Sequence, residues 1–262
     1  MAVYDALAAE YEHGMARVTG LHAADLTDAL APRPSARVLE LAAGTGAMTD
    51  QLADRVGADG LIVAADISEG MLAFARQRLA NRPNVRYILG AGESLPFADG
   101  AFDAVACAFG IQHMADAGLA LRSMRRVLRP EGSCAIVVWD VVGRDIKTPI
   151  NEAFAAFTVS QSLSPVQEHW AGAGVLAGRL EAAGFCRVSV RSSTGWLLVS
   201  DLDEWWQAVT SGRLGDRLRA AGGEQAERLR EDAYRRAEQF AVRDAGGWRF
   251  PSAALIGIGV AL

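Results

Sequence analysis

The sequence predicts an α/β chain built on a doubly wound, mostly parallel seven-stranded sheet with N-terminal helices and a helical lid. Three observations predict it. Between residues 35 and 142, short apolar runs alternate with segments whose apolar residues recur every three or four positions, the pattern of strands alternating with helices in a parallel sheet. The first run, Val38-Leu39-Glu40-Leu41, passes through Ala42-Ala43 into the turn Gly44-Thr45-Gly46, which opens a helix. The second run ends on an acid, Asp66.

Each element follows from local chemistry. Residues 3–31 read as one or two alanine-rich helices that stop at Pro32-Arg33-Pro34. Strand one is Arg37–Leu41, and a helix from Thr45 to Val56 buries Met48, Leu52 and Val56 on one face. Strand two is Leu61–Asp66. Ser68 caps the next helix, which presents Met71, Leu72, Ala75 and Leu79 on one side. Strand three is Val85–Leu89, and Asp99-Gly100 turns into strand four, Phe102–Phe109. A helix over Ala117–Leu128 buries Leu121, Met124 and Leu128 before strand five, Ser133–Trp139. The rhythm then changes. Residues 143–171 hold Pro149, Pro165 and several aromatics and read as a lid. A helix over Val175–Ala183 leads through Gly184 into strand six, Phe185–Ser192. Residues 195–250 read as a second lid insertion. Within it Glu224–Phe240 is a charged amphipathic helix with a stripe of Ala226, Leu229, Ala233, Ala237 and Phe240 and a Glu231–Arg235 pair. Strand seven is Ala253–Leu262. The expectation is one domain over 1–262, with 1–34 as lid helices and 35–142 as the core that binds a cofactor.

Composition narrows the class. At 262 residues and 51% apolar content the chain can bury a full α/β core. A net charge of -5 without a basic stripe argues against nucleic acid as partner. Cys107, Cys134 and Cys186 all fall on probable strands, which suits reduced core thiols and a cytoplasmic setting. The N-terminus lacks a signal-peptide pattern. The longest apolar stretch, Ala253–Leu262, is too short to span a bilayer as a helix. The four histidines and three cysteines show no metal-ligand spacing, and there is no nucleophile elbow or P-loop. The expected partner is a small molecule, with a homodimer left open.

The glycine turn indicates a nucleoside. Gly44 and Gly46 permit left-handed angles and let a ligand approach the main chain, at a helix N-terminus with unpaired N–H groups. A dinucleotide fingerprint would need glycine at 42, 44 and 47, and the chain offers Ala42, Gly44 and Ala47. Glu40 in the same crevice would repel phosphate and suits a cationic amine or a hydroxyl. Asp66 stands where an acid accepts hydrogen bonds from two ribose hydroxyls.

Four more stretches complete a pattern with the turn at 40–46. They are Ala64-Ala65-Asp66-Ile67-Ser68-Glu69-Gly70-Met71-Leu72; Gly90-Ala91-Gly92-Glu93-Ser94-Leu95-Pro96-Phe97; Phe102-Asp103-Ala104-Val105 with Ala108-Phe109, Gln112 and His113; and Val127-Leu128-Arg129-Pro130-Glu131-Gly132. Any one is common, whereas five in this order and spacing are specific. With them the chain resembles class I S-adenosylmethionine-dependent methyltransferases of the group that includes the ubiquinone/menaquinone C-methylases (UbiE-like), over most of residues 1–140.

The resemblance implies a Rossmann-like methyltransferase fold with strand seven antiparallel between strands five and six, S-adenosyl-L-methionine as cofactor, and methyl transfer to a small, largely apolar or aromatic acceptor at carbon or oxygen. It implies that Glu40 accepts from the methionyl amino group, that Ile67 packs on adenine with Met71 beside it, and that the Ala8-x-x-Tyr11 pattern is a lid helix whose ring faces the sulfonium. Ala42 and Ala108 fall within the cofactor motifs. Gly92 offers a backbone N–H to adenine. Ala91 stands where many relatives carry aspartate, leaving Glu93 or a carbonyl for that contact. His113, after strand four, is the candidate base for a phenol or enol. His13, His22 and His169 are further candidates to face substrate, and Trp170, Trp196, Trp205 and Trp206 suggest an apolar substrate pocket. Two other readings remain: a catalytically silent cofactor-binding partner subunit, and a nicotinamide oxidoreductase.

Overall fold

The apolar runs Val38–Leu41, Ile62–Ala65 and Ala104–Cys107 are buried on both faces, as strands inside a parallel sheet must be. A computed structural model describes residues 2–140, 145–157, 170 and 172–262. Five parallel strands, β1 (Arg37–Leu41), β2 (Leu61–Asp66), β3 (Val85–Leu89), β4 (Phe102–Ala108) and β5 (Leu128–Trp139), lie in the order β3-β2-β1-β4-β5. Of the later strands, β6 is Cys186–Val199, β7 is Val242–Asp244 and β8 is Gly247–Val260. The antiparallel β8 inserts between β5 and β6, as the resemblance implied, and β7 pairs with β8.

Alternate residues of each strand feed opposite layers. Val38, Ile62 and Ala104 pack in one apolar cluster with Leu26 and Leu52, and Leu39, Val63 and Val105 in another with Leu121 and Leu176. The first layer holds α1 (Ala2–His13), α2 (Met15–Gly20), α3 (Ala23–Leu30), α4 (Ala47–Val56) and α5 (Glu69–Arg78). The second holds α6 (Ala117–Val127) and α8 (Ala173–Ala182). Between and after them come α7 (Thr148–Phe157), α9 (Leu202–Thr210), α10 (Arg213–Ala221) and α11 (Gly223–Phe240). Leu41 stands opposite Ala65 of β2 and Cys107 of β4, so these strands end level with one another. Chain order reverses between β1 and β4, which opens a crevice beyond their carboxyl ends.

Several expectations are revised. The sheet has eight strands rather than seven, because β7 and β8 form a hairpin that turns through Ala245-Gly246 into Gly247, φ +123°. Residues 195–199 and 247–250, expected in a lid, are strand. Leu197, Val199 and Phe250 are buried while Trp196 and Leu198 are exposed, an alternation of period two. The N-terminal segment forms three helices. A Cβ on Gly14 would meet Ser211 Oγ at 2.1 Å, so α1 breaks where the end of α9 packs against it. β5 begins at Leu128, opposite Phe102, and the register then shifts before Ser133, opposite Ala104, with Glu131 between them at φ +62°. In α11, Arg235 pairs with Asp232 at 2.5 Å rather than with Glu231; Asp232 is buried and also accepts from Arg236. Pro165 and His169 lie outside the described residues.

Candidate active site

A cavity of about 430 Å³ occupies the crevice. Its walls include Tyr11, Ala42, Gly44, Asp66, Ile67, Met71, Gly92, Glu93, Ala108 and His113. Glu40 and Gly46, which the sequence reading expected there, are not on its walls.

At the β1–β2 end, Asp66 is buried, and its Oδ2 accepts from Gly44 N at 2.8 Å while Oδ1 accepts from Ser68 N at 2.9 Å. Each oxygen keeps a second lone pair. Burial raises the Asp66 pKa against the pull of these amides. Ser68 caps α5 by accepting from Met71 N at 3.1 Å, which frees Asp66 from capping that helix. Gly44 takes φ +56° and Ala42 takes the same value. For alanine that conformation costs about 1–2 kcal/mol. Room for its methyl comes from Gly110, where a Cβ would lie 2.2 Å from Ala42 Cβ.

Glu40 is only 2% exposed, and its Oε2 has no hydrogen-bond partner; neither does the buried hydroxyl of Thr45. Burial pushes the Glu40 pKa up to about 8, with the Thr49 hydroxyl opposing the shift and the nearby Asp66 charge adding to it. Glu40 itself is not among the residues lining the cavity, whereas the next residue, Leu41, is. Gly46, at φ +83°, is required by packing. A Cβ there would meet Leu79 Cδ1 at 3.0 Å and Ala75 Cβ at 3.2 Å, so its role is to let α5 approach the turn.

Beyond β3, Gly92 is buried, and a Cβ would meet Leu41 Cδ2 at 2.7 Å. Glu93 Oε1 accepts from Ala115 N at 2.9 Å and Asp116 N at 3.3 Å, which ties it to the start of α6. Ile67 is 40% exposed, a large apolar side chain on the cavity wall. Helix α1 covers this end. Asp5 Oδ1 accepts from Ser68 Oγ at 2.6 Å and Gly70 N at 3.0 Å, and these bonds hold the Asp5 pKa down. Tyr11 hydrogen-bonds Thr19 Oγ1 at 3.4 Å, and burial pushes its pKa up to about 12.

The β4–β5 end is aromatic. Phe109, at φ +55°, stacks on Trp139 with centroids 4.0 Å apart, and both line the cavity. Lys147 also lines it, with Nζ 3.2 Å from the Trp139 ring centroid. Below them His22 is fully buried. Its Nδ1 pairs with Ser193 Oγ at 2.7 Å and its Nε2 with Ser252 Oγ at 3.0 Å. Ser193 spends its proton on Asp25 Oδ2 at 2.6 Å, so His22 Nδ1–H donates to Ser193 and Nε2 accepts from Ser252. Burial pushes the His22 pKa down to about 4. His22 therefore supports the aromatic wall and does not face substrate. His113 ends a 3-10 turn, Ile111–His113, on the cavity wall near Tyr4. His13 bonds Ala9 O at 2.7 Å on the exposed side of α1.

The four tryptophans expected to form a pocket do not line this one. Trp205 is fully buried, stacked on Phe250 at 5.2 Å, with Nε1 donating to Ile146 O. Trp170 is core, and Trp196 is exposed on β6. The pocket tryptophan is Trp139, which the sequence marked only as a strand end. Val209, Gly212 and Leu214 of the α9–α10 region close the cavity. No motif signals them, nor Lys147.

Comparison with known proteins places the chain. The model of the ubiE/COQ5 methyltransferase family matches residues 2–166. A ubiquinone/menaquinone biosynthesis C-methyltransferase of Idiomarina loihiensis is 35% identical over 62% of this chain and 71% of its own length. The corresponding enzyme of Stenotrophomonas maltophilia is 40% identical over 50% of this chain and 53% of its own. A solved SAM-dependent methyltransferase of Thermotoga maritima shares the fold, with a TM-score of 0.58 at 18% identity over 100% of this chain and 99% of that one. Among the described residues no helix is long and apolar enough to cross a membrane. The nicotinamide and silent-subunit readings are not favoured, and the chain belongs to the ubiE/COQ5 methyltransferase family as an S-adenosylmethionine-dependent methyltransferase.

Proposed function

We propose that this chain methylates a small, largely apolar or aromatic acceptor, at carbon or oxygen, inside the cavity at the β1–β4 crevice. The observation that carries the reading is the contrast between the cavity's ends: a buried acid and open turns at β1–β2, aromatic walls at β4–β5. S-adenosylmethionine, when bound, supplies a methyl group already activated as a sulfonium.

The chain's own groups fit that cofactor. The remaining lone pairs of Asp66 suit two ribose hydroxyls. The unpartnered Glu40 Oε2 and Thr45 hydroxyl suit the amino end, whose positive charge would draw Glu40 into its ionised form. Ile67 and Met71 flank adenine, with Gly92 and Glu93 at its edge. Ala42, Gly44 and Ala108 keep the main chain within reach, while Gly46 only lets the turn form. The Tyr11 ring covers the sulfonium side. His113 takes the proton of a phenol or enol acceptor. The remaining work is alignment and the exclusion of water, which the α9–α10 cover provides. Free thiols at Cys107, Cys134 and Cys186 suit a reducing, cytoplasmic setting.

The curated relatives are named for C-methylation in quinone biosynthesis, so reduced quinones lead the acceptor screen, followed by phenols and keto acids. Calorimetric titration with S-adenosylhomocysteine, with NADH as control, tests the reading. Micromolar binding of the first alone is expected, and turnover of a phenolic acceptor should fall in His113→Ala without loss of that affinity. Absence of S-adenosylhomocysteine binding would remove the reading.

A further inference from the structure

We propose that Lys147 forms an anion subsite at the β4–β5 end of the cavity, so that the acceptor is a flat ring carrying an ionised oxygen, a carboxylate or an enolate. This rests on the assignment of that end to the acceptor.

Lys147 is the one lysine or arginine lining the cavity among the described residues, and it is only 7% exposed. A side chain of this kind is rarely buried without a partner. Its Nζ lies 3.2 Å from the Trp139 ring centroid and 3.8 Å from Asp145 Oδ1, the second an ion-pair distance beyond hydrogen-bond reach. The carboxylate of Asp145 is spent on the backbone: Oδ1 accepts from Lys147 N at 2.9 Å and Oδ2 from Ala253 N at 3.3 Å. Among the described residues no hydrogen bond satisfies the ammonium's three donors, and the open side is the cavity.

The surroundings select the ligand. Phe109, Trp139, Met15, Val209 and Leu214 offer aromatic and apolar contact to a ring. Phe109 is held in a left-handed conformation against Trp139, a strained arrangement of the sort found at binding sites. The acid Asp66 ends β2, three strands from Trp139 at the end of β5, which is about 14 Å at the usual strand spacing. Glu93 Oε1 is taken up by Ala115 N and Asp116 N. Burial lowers the Lys147 pKa while Asp145 opposes that shift; an oxyanion placed on Nζ is far from Asp66 and draws the lysine into its ammonium form, where a charged hydrogen bond is strongest.

The test compares the full-length wild type with Lys147→Met, and with Lys147→Gln as a second neutral variant should the first fail to fold. Calorimetry measures affinity for 2-naphthoate against 2-naphthalenemethanol, and for 2-hydroxy-1,4-naphthoquinone, ionised at neutral pH, against 1,4-naphthoquinone. We expect the wild type to prefer the anion in at least one pair by about ten-fold or more, and the variant to lose that preference. S-adenosylhomocysteine affinity should stay within about two-fold. The first pair reports a carboxylate subsite and the second an enolate subsite. Equal affinity for both members of each pair, a preference that survives loss of the lysine, or failure of the wild type to take either anion at millimolar concentration overturns the proposal. If the wild type keeps the lysine-dependent preference yet fails to bind S-adenosylhomocysteine, the anion subsite stands and the cofactor assignment falls.

Discussion

At the β1–β2 end of the cavity, Glu40 and Thr45 are buried with polar atoms unpaired; at the β4–β5 end, His22 is buried with both ring nitrogens paired. A buried polar atom without a partner costs stability, so the first arrangement is poised for a ligand that completes it. The second is complete in itself and serves to hold Phe109 and Trp139 in place. The difference teaches how the two ends are built. The first uses backbone turns and acids set by strand ends. The second uses the shape of side chains gathered from β4, β5, α2 and the α9–α10 region.

The largest expected effect tests whether the ends are independent. Asp66→Ala removes a charged acceptor from Gly44 N and Ser68 N and, under the proposed function, from ribose, so S-adenosylhomocysteine affinity should fall by about 100-fold or more. Binding of 2-naphthoate should change by less than about three-fold. Calorimetry on both ligands decides, and a comparable loss at both ends would break the comparison.

The next effect lies where the ends meet. Gly110→Ala drives a methyl into Ala42 Cβ and should cost about 2 kcal/mol in urea unfolding. Ala42→Gly on the same chain should restore most of it, since it removes both the clash and the left-handed alanine. A Gly110→Ala protein as stable as wild type would mean the crevice floor yields.

The smallest effect sharpens the contrast in hydrogen bonding. Glu40→Gln should weaken S-adenosylhomocysteine by about ten-fold. In the free protein Glu40 has a pKa of about 8 and is mostly protonated at pH 7, so cofactor binding should release up to about one proton, seen as a dependence of binding heat on buffer ionisation enthalpy. The substitution should abolish that release. The sign for stability follows: with a folded pKa near 8 against an ordinary 4.5, the contribution of Glu40 is full below the lower value and is lost as pH rises through the higher one. His22 runs the other way. With a folded pKa near 4 against 6.5, its contribution is present above 6.5 and is lost as pH falls through 4. Thermal midpoints of wild type and Glu40→Gln across pH 5–8 separate the two.

The sequence by itself determined the parallel core, the strand ends that carry Ala42, Gly44, Asp66 and Ala108, and the Ser68 cap, because each is written in neighbouring residues by period, turn chemistry or capping. It did not show that Gly46 also answers to packing against Leu79 and Ala75, more than 25 positions away in the chain. The same applies to the tryptophans: Trp205 and Trp139 look alike in sequence, and only their neighbours make one core and the other cavity wall. What the tertiary structure alone decided was the β4–β5 end of the cavity. Phe109, Trp139, Lys147, Val209 and Leu214 come together only after the sheet and the helices beyond it are packed, and contacts between segments so distant leave no local pattern to read.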